Sequence, residues 1–122
     1  MKKMIYIVAG LLLLLSNSIS ADNHMTAALE HANAAVVNGE AGQTAVLLEH
    51  TMAALKHTKS SAIAAKGLPK KHLEAATKEL QEANDLGQWG HVGSATAHVE
   101  AAVKHLEIAN KYSDPTEDIQ KH

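Results

Sequence analysis

The chain of 122 residues contains no cysteine, no arginine and no phenylalanine, and only one tryptophan and two prolines. Without cysteine it can form no disulfide, no thiolate metal site and no covalent attachment to haem. The interior must therefore be built from alanine, valine, leucine, isoleucine and methionine. Such a composition suits helices that approach one another closely.

An excess of positive charge is also lacking, because the formal net charge is −2. Nucleic acid binding depends largely on basic side chains that neutralise phosphates. The composition therefore argues against nucleic acid as a partner. We also find no grouping of a nucleophile with a base and no pair of inward carboxylates, so we expect no enzyme activity.

The N-terminal segment has the order of a secretory signal peptide. Lys2 and Lys3 precede an apolar run over residues 5–15, which is too short to span a bilayer. Small or polar residues follow, namely Ser16, Ser18, Ser20 and Ala21. We predict a signal peptide over residues 1–21, cleaved after Ser20 or Ala21, with no lipid anchor. The mature protein is expected in the periplasm, without stable membrane association and as a monomer.

The remaining residues favour helices interrupted by glycine and proline. Breaks are predicted at Gly39 to Gly42, at Gly67-Leu68-Pro69, at Gly87 to Gly90 and at Asp114-Pro115. Four helices result, near residues 23–38, 42–65, 69–86 and 91–112. Short connections favour antiparallel neighbours. We therefore predict an all-α, up-down-up-down antiparallel four-helix bundle over residues 22–112, followed by a flexible tail over 113–122.

Histidine recurs with a period of seven on these helices, in the octads HMTAALEH, HTMAALKH, HVGSATAH and HVEAAVKH. The candidate metal ligands are His24, His31, His50, His57, His72, His91, His98 and His105. Counting each histidine as position zero, positions +1 and +5 hold larger apolar residues and position +4 holds alanine. We assign +1 and +5 to the core and +4 to its flank. The histidines are then expected outside the core, facing solvent.

The heptad spacing prevents one helix from chelating an ion with two of these histidines. Seven residues span about 10.5 Å of helix axis, whereas a ring nitrogen lies about 2.0–2.1 Å from its metal. In an antiparallel hairpin, residues at equal height have a constant sum of numbers. The sums pair His24 with His57, His31 with His50, His72 with His105, and Glu79 with His98.

These sums predict open sites with two ligands each, between helices. A different packing would instead pair His57 with His72 and His24 with His105, and the sequence does not choose between the two. Glu79 is included among the candidate metal ligands because it falls in a histidine slot.

The segments HMTAALEHANAAVVNG, GQTAVLLEHTMAALKHTK and GHVGSATAHVEAAVKHLE resemble the small metal-binding protein family of ammonia-oxidising bacteria. The resemblance covers roughly residues 23–110. It implies a periplasmic four-helix bundle that binds several divalent ions, copper among them, and the eight histidines match the family's repeat. Asn38, Gln43 and Glu79 depart from the pattern, so we expect fewer sites near Asn38 and Gln43.

Binding of divalent transition metals is the function expected first, with Cu²⁺ favoured and Ni²⁺ and Zn²⁺ also bound. Imidazole binds metal only when neutral, so affinity should fall as the pH drops through about 6.5, the ordinary pKa of histidine. One alternative is an envelope stress or chaperone-like helical bundle with a histidine pH switch. Another is a bundle with non-covalent haem, for which an alanine-rich seam leaves little room.

Overall fold

The computed structural model describes residues 21–113, which form four α-helices. Helix α1 spans Ala21–Glu40, α2 Thr44–Ala64, α3 Gly67–Gln88 and α4 Val92–Ser113. Residues 21–113 contain no β-strand. The predicted all-α four-helix bundle is confirmed. Residues 1–20 of the predicted signal peptide and the predicted tail beyond Ser113 lie outside the described residues.

Each helix packs against the next, and α1 also packs against α4. Gly39, near the end of α1, adjoins Thr96 near the start of α4. Lys70, near the start of α3, donates from Nζ to the carbonyl of Ala62 near the end of α2, at 2.9 Å. Neighbouring helices in these pairs therefore run in opposite directions, an arrangement consistent with the predicted up-down order.

Two of the glycines expected to break helices lie inside them instead. Gly39 belongs to α1 and Gly87 to α3, and both are buried. A Cβ on Gly39 would collide with Thr96 and Leu47, and one on Gly87 would lie 2.8 Å from Leu48 Cδ2. These glycines permit close helix packing, which is why the helices extend past the predicted ends.

The turns are made by the three glycines with left-handed backbone conformation. Gly42, Gly67 and Gly90 have φ angles of 77°, 62° and 86°, a region that side chains with a Cβ rarely adopt. Gly42 delays the start of α2 to Thr44, two residues later than predicted. Trp89 lies in the last of these turns and is 71% exposed.

The core differs from the predicted one in its heptad positions. The alanines at position +4 are completely buried, namely Ala28, Ala35, Ala54, Ala76, Ala95 and Ala102. The apolar residues at position +5 are only partly buried against that core, namely Leu29, Val36, Leu48, Leu55 and Val103. The assignment of +5 to the core and of +4 to its flank was therefore wrong. Because alanine is small, the helices approach along this row and the larger side chains cover its edge.

The partly buried residues lie between the two hairpins rather than within them. Leu48 of α2 packs toward Gly87 of α3. Val36 of α1 and Val103 of α4 line a shared surface groove of about 400 Å³. The α1/α2 and α3/α4 hairpins thus meet along apolar seams. Among the described helices, none is both long and apolar enough to cross a membrane.

Candidate metal sites

The observed core places position zero next to a buried position on every helix. Since +1 and +4 point inward, a side chain at zero lies at the edge of the core, on the side that faces the other helix of its hairpin. The groove between α1 and α2 receives four histidines in this way. The groove between α3 and α4 receives three histidines and Glu79.

Within the α1/α2 groove the histidines meet in two pairs. The Nδ1 atoms of His24 and His57 are 2.8 Å apart, and those of His31 and His50 are 3.1 Å apart. Both contacts join residues that the equal-height sums paired. In one direction along the hairpin, residue numbers rise on α1 and fall on α2. Residues with the same sum of numbers therefore lie at the same height.

The α3/α4 groove repeats the arrangement with one substitution. The Nδ1 atoms of His72 and His105 are 2.9 Å apart, and His98 Nδ1 lies 2.7 Å from Glu79 Oε1. The structure therefore has the first of the two packings allowed by the sequence, and the alternative pairing of His57 with His72 is wrong.

The separations of the paired nitrogens fit a shared metal ion. Two nitrogens at about 2.0–2.1 Å from one ion are about 2.9 Å apart when they subtend 90°, and about 3.3–3.4 Å apart at a tetrahedral angle. The three histidine pairs, at 2.8 to 3.1 Å, lie closer to the first value. Neighbouring positions of square-planar or octahedral coordination are therefore matched best.

Without an ion, the same separation suits a hydrogen bond in which the Nδ1–H of one neutral ring donates to Nδ1 of the other. If the donating ring moves its proton to Nε2, both Nδ1 lone pairs become free for metal. A neutral histidine pair can thus bind an ion by tautomerisation, with no net release of a proton.

Each pair offers two protein ligands and no more. Within residues 21–113 no group of three or more histidine, cysteine, aspartate or glutamate side chains is placed to hold one ion. The remaining coordination positions are open to water or to ligands from another molecule. Such sites impose little geometry on the ion.

A comparison with protein-family models now bears on these pairs. The model described as small metal-binding protein matches residues 1–109, nearly the whole chain. The chain belongs to the small metal-binding protein family. A comparison with curated proteins finds no match. The family is described by metal binding and not by catalysis, so metal ions are the ligands that its members share.

In this member of the family, one histidine pair is buried. His31 is 8% exposed and His50 is 4% exposed, so the expectation that all the histidines face solvent was wrong for these two. Their rings contact each other, with centroids 5.3 Å apart. The other paired histidines are half-buried, namely His24, His57, His72, His98 and His105.

A ring contact also joins the two pairs of the α1/α2 groove. The rings of His31 and His57 are stacked, with centroids 5.8 Å apart and planes 4° apart. These two histidines belong to different pairs. The spacing of residues along a single helix gave no sign of this contact, because it arises from side chains leaning toward each other across the groove.

Burial keeps several of these rings neutral. Desolvation, with smaller contributions from His50 and His57, lowers the pKa of His31 to about 4. The pKa of His50 is lowered by burial, against the opposing charge of Glu49. Burial also lowers the pKa of His57, assisted by His24 and Lys56. Since metals bind neutral imidazole, protons compete less for these three rings at neutral pH.

One predicted ligand, His91, has no partner ligand among the described residues. His91 is exposed and lies immediately before α4, and its backbone N–H donates to the carbonyl of Leu86 at 2.9 Å. The sum that pairs His72 with His105 also places Leu86 opposite His91, so the sequence itself indicates that His91 meets no ligand at its height. At the same end of the other hairpin, Asn38 Nδ2 donates to its own helix at the carbonyl of Ala34.

Proposed function

We propose that this small metal-binding protein is a periplasmic binding protein that sequesters or carries several divalent transition-metal ions. Each ion is bound between two helices by histidines at equal height in the hairpin. The observation that carries this proposal is the set of four ligand pairs, each with donor atoms 2.7 to 3.1 Å apart. Family membership supports metal ions as the ligands.

Cu(II) is the favoured cargo, and Ni(II) and Zn(II) also bind. Sites with two imidazole ligands and open positions follow the Irving–Williams order, which places Cu(II) first. The nitrogen separations, close to those expected at 90°, support the same preference, because Zn(II) favours a tetrahedral arrangement. The site of His98 and Glu79 combines a nitrogen with an oxygen donor. It should discriminate less strongly in favour of copper.

The test is metal stoichiometry in two double variants that each remove two histidines. His31→Ala with His50→Ala removes both ligands of one pair, whereas His31→Ala with His98→Ala breaks two pairs. Titration with Cu(II), followed by absorption spectroscopy, should show the loss of about one ion in the first variant and about two in the second. His91→Ala is the matched control, and its stoichiometry should equal that of the unaltered protein.

Equal losses in the two double variants would contradict bridging between helices. Uptake of no more than one equivalent by the unaltered protein would overturn the proposal as a whole. If metal has no effect while acidification changes the oligomeric state, the envelope bundle with a histidine pH switch is the better description.

The export part of the proposal rests on the N-terminal segment and is tested separately. Expression of the full chain in a bacterium, followed by fractionation and N-terminal sequencing, should give a periplasmic product that starts at Ala21 or Asp22. A protein that keeps Met1 and stays in the cytoplasmic fraction would contradict export while leaving metal binding intact.

A further inference from the structure

We propose that the two histidine pairs between α1 and α2 form one coupled site for two ions, in which the first ion weakens binding of the second. The two pairs between α3 and α4 are coupled less strongly. The proposal rests on the proposed function, because it concerns how metal fills the sites assigned there. It is carried by the stack of His31 on His57.

The rings of the α1/α2 groove form an unbroken row. The centroids of His24 and His57 are 5.0 Å apart, those of His57 and His31 5.8 Å apart, and those of His31 and His50 5.3 Å apart. The middle contact crosses from one pair to the other. The two pairs are therefore in direct ring contact, and a charge bound in one pair lies close to the rings of the other.

The stack limits how far apart two bound ions can be. An ion about 2.0–2.1 Å from a ring nitrogen lies about 3.2 Å from the ring centroid. With centroids of His31 and His57 at 5.8 Å, an ion in each pair lies within about 12 Å of the other. Two divalent ions at this range repel each other appreciably where solvent screening is incomplete. Because His31 and His50 are buried, screening there is incomplete.

The α3/α4 groove provides an internal comparison. Its ring contact joins His72 and His105, with centroids 5.1 Å apart, but the next level contains a carboxylate, Glu79, opposite His98. Among the described residues no ring stack links these two levels. The carboxylate also offsets part of the charge of an ion. Repulsion between ions is therefore weaker in this hairpin.

The experiment is a thermodynamic cycle of Cu(II) affinities, measured by calorimetry with a competing chelator. His72→Ala with His98→Ala leaves only the two α1/α2 pairs. Adding His31→Ala to this background leaves the His24/His57 pair, and adding His24→Ala instead leaves the His31/His50 pair. We expect the overall two-ion affinity of the two-pair protein to be about tenfold below the product of the two single-pair affinities.

A matched cycle is made in the other hairpin, starting from His24→Ala with His31→Ala. There the overall affinity should fall below the product of the single-pair affinities by a smaller factor, about threefold, because Glu79 offsets part of the ionic charge. An equal shortfall in the two hairpins would contradict the special role of the α1/α2 row. Electron paramagnetic resonance gives a readout independent of affinity. The two-pair α1/α2 protein should show spin–spin broadening with two equivalents of Cu(II) and none with one, because two spins are then close together.

Affinities that multiply in both hairpins, without broadening, would overturn the coupling and leave the proposed function standing. Absence of Cu(II) binding by every variant would instead overturn the proposed function. Circular dichroism checks that each variant is folded. If His31→Ala lowers the helix content, His50→Gln removes the same pair and is used in its place.

Discussion

Single residues in equivalent heptad positions have different chemistry in this protein because their burial differs. His31 and His50 are buried, and His31 is stacked on His57, whereas His91, in the same heptad position, is exposed. Burial favours the neutral ring and so the form that binds metal. Two predictions concern individual buried residues.

The first prediction concerns acid stability of the metal-free protein. The pKa of His31 is about 4 in the folded state and near the ordinary 6.5 in the unfolded state, so the unfolded state binds more protons between these values. The free energy of unfolding should therefore decrease as the pH falls from about 6.5 to 4, and His31 should contribute no further change below that. Burial of His50 and His57 acts in the same direction.

Urea denaturation at several pH values from 8 to 4 measures this dependence. Carboxylates also titrate near the lower end of this pH range, so the unaltered protein is compared with His31→Asn. In this variant the free energy of unfolding should depend less steeply on pH. An identical slope in the variant would show that His31 does not contribute.

The second prediction concerns Thr51, whose hydroxyl is completely buried and has no hydrogen-bond partner within the described residues. Thr51→Val replaces the hydroxyl by a methyl group of similar size. Removal of a buried unsatisfied group should raise the free energy of unfolding by about 1 kcal/mol. Thr58→Val is the control, since the Thr58 hydroxyl donates to the Ala54 carbonyl at 2.7 Å and its loss should bring no gain. Urea denaturation measures the free energy of unfolding of both variants. An equal change in the two variants would contradict the prediction.

Along each helix, the heptad position of a residue determines its structural role. Positions +1 and +4 build an alanine-rich core, position zero carries the ligands within a hairpin, and position +5 fills the seam between hairpins. Alanine at +4 can form a packed core only where the helices are close, because its side chain is small. At Gly39, which occupies position +1, even an alanine Cβ would collide with Thr96 and Leu47.

The third prediction follows from that close approach. Gly39→Ala should lower the free energy of unfolding by about 1–3 kcal/mol, because its Cβ would overlap Thr96 and Leu47. Gly93→Ala is matched to it, since Gly93 also lies in a helix but a Cβ there meets nothing within 4 Å. That variant should gain roughly 0.5 kcal/mol from reduced backbone freedom. Thermal unfolding of both proteins tests the contrast, and a stable Gly39→Ala protein would contradict it.

For the whole molecule, metal binding should act as a stabilising link between helices. Every paired contact joins the two helices of one hairpin. A ligand that binds only the folded state stabilises it by about 2.7 kcal/mol at a free concentration one hundred times its Kd.

The fourth prediction is therefore a rise in Tm with added Cu(II), larger than the rise with Zn(II) at equal concentration. Scanning calorimetry measures it, and a chelator should reverse it. The protein with His31→Ala and His50→Ala should show a smaller rise than the unaltered protein. A Tm that is unchanged by saturating Cu(II) would contradict folded-state binding.

The four helices and the heights of the ligand pairs could be predicted from the sequence, because helix rise is fixed and antiparallel pairing conserves the sum of residue numbers. The core could not, because alanine is as compatible with a flank as with a tightly packed centre. The sequence predicts helix ends at Gly39 and Gly87 for a similar reason, because glycine is common both in turns and where helices are in close contact. The His31–His57 stack depends on side-chain tilt, which heptad counting does not contain.

The apolar seams between the hairpins, formed by residues such as Val36, Leu48 and Val103, carry a consequence for capacity. No paired ligand spans these seams in the part of the chain that the structure describes. Under the proposed function, the number of ions bound scales with the number of hairpins and not with the size of the core. A further hairpin joined along a seam would add candidate metal sites without altering the existing ones, and one hairpin could lose its ions while the other keeps them.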